Sequence, residues 1–107
     1  MPMLHNADVA STPMFPGVSR KILSDGERMM LVEVLLEAGS TVPEHTHPHE
    51  QTGYLASGRV RFRIGDETVE LGQGDSWMIP GGVPHEVTTI ADSVAIDVFS
   101  PPREDFR

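Results

Sequence analysis

The chain has 107 residues, 38% of them apolar, and a formal net charge of −8. That is room for one domain with one core, and no basic run offsets the charge in favour of phosphate backbones or anionic membranes, so neither nucleic acid nor membrane is an expected partner. Cysteine is absent, which excludes disulfides, thiolate metal sites and a cysteine nucleophile.

Residues 1–16 read as an irregular N-terminal arm ahead of a domain over 17–107, because Pro2, Pro13 and Pro16 with Asn6, Asp8 and Ser11 break any period. His5 in that arm reads as a solvated residue. The segment also lacks the basic start and apolar core of a signal peptide, and no run of about 18 apolar residues marks a membrane span, so the expected location is the cytoplasm. Ser19 to Leu23 begins the first strand, and Asp25-Gly26 is a turn signal. Arg28 to Ala38 follows as a strand too apolar to alternate cleanly, the look of one buried on both faces. Gln51 to Ala56 reads as a strand carrying Tyr54, which Ser57-Gly58 turns. Val60 to Ile64 alternates strictly, with Val60, Phe62 and Ile64 toward a core and Arg61 and Arg63 on a solvated sheet surface. Gly65-Asp66 makes a hairpin to Thr68 to Leu71, Ser76 to Ile79 is a short strand, His85 begins another, and Val94 to Phe99 closes the set. Tyr54 and Trp77 both read as core. About seven to nine short strands with frequent turns and no helix indicate an all-β sandwich or barrel.

Three of the five histidines fall in His45-Thr46-His47-Pro48-His49-Glu50-Gln51. On a strand His45 and His47 project from one side, roughly 6.5 to 7 Å apart along the backbone. Two imidazoles on one face can close on one ion, and zinc, nickel, manganese and iron(II) all accept neutral imidazole nitrogen. His49, which follows a proline, reads as a loop residue or one supporting the ligands.

The flanking residues sharpen this. Gly39, His45, His47, Gln51 and Gly58 stand at one set of fixed intervals, and Gly74, Pro80, Gly82 and His85 at another. Both sets resemble the two signature motifs of the cupin superfamily. The resemblance implies a single-domain cupin jelly-roll β-barrel with a divalent metal ion on His45, His47 and His85. Two positions depart from the usual pattern. Gln51 stands where Glu is usual, with Glu50 a rival for the fourth ligand if the loop bulges by one residue, and Thr89 replaces the Asn that ends the second motif. A site of neutral donors keeps the full charge of a divalent ion, which attracts anionic ligands and acidifies bound water. In small cupins such an arm often pairs with a second subunit, so the resemblance also implies a homodimer with Met14 and Phe15 as contacts.

The C-terminal run carries the remaining chemistry. Asp97 and Phe99 share one face of the last strand. The residues alone favour Asp97 facing water at an edge over a carboxyl group lining the core, and Arg103 beside Glu104 and Asp105 reads equally as a solvated ion pair in a frayed tail. The His45-to-Gln51 cluster together with Asp97-x-Phe99-x-Pro101-x-Arg103-Glu104-Asp105-Phe106 resembles the KdgF family of pectin-degradation cupins. That resemblance implies ring opening of 4,5-unsaturated monouronates to open-chain keto acids. It further implies His45, His47, Gln51 and His85 as metal ligands, Asp97, Phe99 and Arg103 as the residues needed for activity, and a small sugar acid as substrate. Two other readings stand beside it: an oxygen-dependent iron(II) dioxygenase on the same histidines, and a non-catalytic metal- or sugar-binding cupin.

Overall fold

The computed structural model describes residues 3–107. Eight antiparallel strands follow one another: β1 (Thr12–Phe15), β2 (Val18–Asp25), β3 (Met30–Leu36), β4 (Thr41–His45), β5 (Glu50–Ile64), β6 (Glu67–Gly72), β7 (Ser76–Ile79) and β8 (His85–Ser100). Short 3₁₀ turns at Asn6–Asp8 and Glu104–Phe106 flank them. The sheet runs β1-β2-β3-β8-β5-β6, with β4 added to β8 and β7 to β5. The two long strands serve both faces of this jelly roll. Residues 93–99 of β8 pair with β3 and its start pairs with β4, while residues 51–54 of β5 pair with β7 and residues 59–64 with β6. The core lies between the faces and includes Val18, Leu36, Leu55, Val60, Phe62, Trp77 and Ile79. Among the described residues, no helix is long and apolar enough to cross a membrane.

Two expected strand breaks are continuous strand. Ser57-Gly58 is not a turn: β5 passes through it with register shifts against β8 between Leu55 and Val60. The buried positions change from odd (Gln51, Gly53, Leu55) to even (Val60, Phe62) across those bulges, because each extra residue reverses the alternation. Gly58 has φ +98°, and a Cβ there would overlap Ser93, whose Oγ accepts the Arg59 N–H at 3.0 Å. Val94 to Phe99 is likewise only the second half of β8. Its buried side chains all fall at odd positions from His85 to Phe99, so the histidine and Asp97 share one face.

Other differences are local. Thr12–Phe15, placed in the irregular arm, pairs with β2 as an edge strand, where a proline without an N–H is tolerated. The face of β3 with Met30, Val32 and Leu36 is buried and the opposite one only partly covered. Tyr54 is not core; it lies on the outer face and is 51% exposed. Asp25-Gly26 turns as expected, the Gly26 N–H donating to the Met29 carbonyl at 2.9 Å.

Candidate metal centre and cavity

His45 ends β4 directly opposite His85, which starts β8. The loop after β4 brings back His47, and the ligating atoms of the three histidines lie within 4.8 Å of one another. Each ring is held the same way: Nδ1 of His45 meets the Pro43 carbonyl at 2.8 Å, that of His47 the His49 carbonyl at 3.0 Å and that of His85 the Val83 carbonyl at 2.9 Å. A carbonyl only accepts, so Nδ1 carries the proton and Nε2 offers its lone pair. Nε2 of His85 is buried with no partner among the described residues. Burial pushes its imidazole down to about 4, and burial together with the Arg103 charge lowers His47. Both rings are thus neutral donors near neutral pH.

Gln51 is buried and Glu50 exposed, as strand alternation requires. Gln51 Oε1 stands 3.0 Å from Nε2 of His47 while its Nε2 donates to Asp97 Oδ1 at 2.9 Å. Two lone pairs therefore face each other at hydrogen-bond distance with no proton between them. A cation resolves that repulsion, and together with the orphaned Nε2 of His85 it shows that the donor set fits a divalent ion.

Asp97 is not at an edge. Its part of β8 lies between β3 and β5, and the residue is 6% exposed. Oδ1 accepts the Trp77 indole N–H at 2.8 Å as well as the Gln51 amide, whereas Oδ2 has no hydrogen-bond partner among the described residues. Burial raises the carboxyl to about 6, against the lowering effect of the two hydrogen bonds and Arg103.

Phe99 is buried, its ring 5.6 Å from that of His47. Arg103 is no frayed tail residue, since its side chain is only 11% exposed. The guanidinium lies 4.1 Å from the Phe106 ring centre and 5.1 Å from that of Phe99. It does form the ion pair expected of it, Nε and Nη2 donating to Asp105 at 3.1 and 2.7 Å. The tail is tied down by Arg107 on Asp25 and by the Arg20 guanidinium over Phe106. His45, Gln51, His85, Asp97, Phe99 and Arg103 line one cavity, in which metal donors, a carboxyl group and a guanidinium converge.

A cupin domain model matches residues 32–99. The chain is 36% identical over 92 residues to the pectin degradation protein KdgF of Dickeya dadantii, covering 84% of each. The structure of KdgF from a Halomonas species superposes with a TM-score of 0.93 at 30% identity, over 98% of this chain and 97% of that one. This chain is a cupin of the KdgF family. A cupin from Shewanella frigidimarina superposes with a TM-score of 0.94 at 27% identity, over 98% and 95% of the two chains.

Within this cupin several residues are not where their surroundings in sequence suggest. Trp77 is core, as expected, but also bonds Asp97; a buried indole N–H needs a partner, which is the signal that could have placed it. Phe106, on whose ring both Arg103 and Arg20 lie, stands in the C-terminal motif with no role assigned to it, and Arg20 gives no signal in the sequence. His49 supports His47 through its carbonyl. Thr89, in place of the usual Asn, is buried and bonded to Ser40. Arg61 is exposed, and Arg63 pairs with Glu44 at the surface. Met14 of β1 packs on the core, whereas Phe15 is exposed.

Proposed function

We propose that this cupin opens the ring of 4,5-unsaturated monouronates, as a metal-dependent enzyme of pectin or alginate breakdown. The convergence of Asp97 and Arg103 on the cavity lined by His45, Gln51 and His85, two of them from the three-histidine cluster, carries this reading, and the pectin-degradation name of its relatives supports it. His45, His47, Gln51 and His85 would hold the divalent ion. When bound, it supplies Lewis-acid stabilisation of negative charge developing on the former ring oxygen.

The substrate is a hemiacetal at C1 and an enol ether across C4, C5 and the ring oxygen. Asp97 Oδ2, free of other partners, takes the proton of the C1 hydroxyl. The C1–O bond to the ring oxygen breaks as the C1 carbonyl forms, and the electron pair passes to the enolate over C4, C5 and that oxygen. Asp97 then returns the proton to C4, leaving a ketone at C5. No electrons are gained or lost, so a site of neutral donors suffices. A carboxyl group raised toward neutrality is suited to both halves of the transfer. The Arg103 ion pair with Asp105 engages Nε and Nη2 and leaves Nη1 without a hydrogen bond among the described residues, so the Nη1–Nη2 end of the guanidinium can pair with the substrate carboxylate in two-pronged fashion. Phe99 packs on the sugar ring and excludes water.

Anaerobic conversion of unsaturated galacturonate by metal-loaded protein, followed by NMR against the spontaneous reaction, tests the proposal. Acceleration is expected in the wild type and not in Asp97→Ala or Arg103→Ala. A wild type that leaves the spontaneous rate unchanged with metal bound would overturn it.

A further inference from the structure

Gln51, Asp97 and Trp77 are joined through a single atom. Oδ1 of Asp97 accepts both the Gln51 amide, at 2.9 Å, and the Trp77 indole, at 2.8 Å. Trp77 is on β7 and Asp97 on β8, and the residue between them on β5, paired with both, is Gly53. The indole reaches Asp97 only by passing over the β5 backbone at that position. A Cβ on residue 53 would overlap Cε2 and Nε1 of the indole and Oδ1 of the carboxylate. The hydrogen bond exists because the strand carries no side chain there.

A carboxylate on its terminal torsion has a broad, roughly twofold well and turns readily unless its oxygens are tied. Two donors on Oδ1 tie it. They leave Oδ2 as the oxygen without a partner among the described residues, and they fix which end of the Gln51 amide faces the histidines.

We propose that Trp77 is a positioning residue, whose N–H, admitted by Gly53, locks Asp97 so that Gln51 aims Oε1 at the metal donors and Oδ2 alone serves the cavity. The catalytic half of this role rests on the ring-opening reading, whereas the metal-positioning half stands without it. Filling space explains the ring but not the N–H, which is why replacing the donor alone separates the two.

Trp77→Phe keeps an aromatic ring and removes the donor. With folding checked by circular dichroism, its zinc affinity by titration calorimetry is expected to fall about 10-fold, the low end of the roughly 10- to 100-fold seen for groups behind ligands. Turnover of unsaturated galacturonate should lose about 10-fold or more in kcat while KM stays within about twofold, the pattern of a group acting in the transition state. The chain has one tryptophan, so its indole N–H gives a single NMR cross-peak, expected to move upfield in Asp97→Ala. Zinc affinity and kcat within about twofold of wild type in folded Trp77→Phe would overturn the proposal, as would an indole resonance unmoved by Asp97→Ala. The resonance requires no change at Trp77, so an unmoved peak overturns the proposal even if that variant misfolds. Should the wild type fail to open the uronate, the ring-opening reading falls, and zinc affinity and the indole resonance still decide the positioning role.

Discussion

Each histidine of the cluster is fixed by a carbonyl two residues away, Pro43 for His45, His49 for His47 and Val83 for His85. Asp97 on the same cavity is fixed by Gln51, 46 positions off, and Trp77, 20 positions off. Arg103 is intermediate: its ion-pair partner Asp105 is two residues away, yet its burial depends on Phe99 and on a tail tied to Asp25, 82 positions before Arg107. The histidine half of the site is therefore oriented by local backbone, although His45 and His85 meet only through the β4–β8 pairing, and the Asp97 half is held by the completed sheet. Local restraint survives distant change, whereas a group held by remote side chains feels every shift in strand pairing.

The sharpest test of this contrast is to remove the metal or the acid–base group. Chelation, or His85→Ala, should return uronate opening to the spontaneous rate. If the free ion stands 100-fold above its Kd, its loss should also cost about 2.7 kcal/mol, on the order of 10 °C or more in melting temperature for a domain this small. Asp97→Ala should lower kcat by about 10² to 10⁴ while zinc still binds, more weakly, since the histidines keep their carbonyls. Complete loss of zinc from that variant would erase the distinction between the two halves.

Arg103→Lys should raise KM about 10-fold with a smaller change in kcat, because an ammonium cannot reproduce the two-pronged pairing with a carboxylate. An unchanged KM would place the substrate carboxylate elsewhere. Gly53→Ala tests the sheet-dependent half without replacing a polar group. Overlap with the Trp77 indole and Asp97 should cost roughly 1–3 kcal/mol, read as a lower melting temperature.

The smallest effect is expected at the tail. Arg107 donates to both Asp25 oxygens, at 2.6 and 2.8 Å, and this hydrogen bonding, offset in part by desolvation, holds the Asp25 carboxyl below its ordinary 3.8. The depressed value in the folded state means a stabilisation present above 3.8 and lost as pH falls through the lower, folded value. The melting-temperature difference between wild type and Asp25→Asn should accordingly be small at neutral pH and shrink toward zero in stronger acid. A difference that grew on acidification would contradict the pairing.

The alternation of Val60, Phe62 and Ile64 and the turn at Asp25-Gly26 are contained in the sequence. They depend on the period of two in a strand and on residues within one turn of each other. His47, expected on the strand face of His45, lies instead in the loop after β4, and the sequence leaves Glu50 a rival to Gln51. The lengths of β5 and β8 were not readable, because a bulge with Gly58 looks like a hairpin until its partner Ser93 is known. The burial of Asp97, the bond from Trp77 over Gly53 and the seating of Arg103 between Phe99 and Phe106 were decided by tertiary structure alone. Which strands lie beside β8, and which side chains then meet across them, is set by pairings between residues tens of positions apart, and no local period records those.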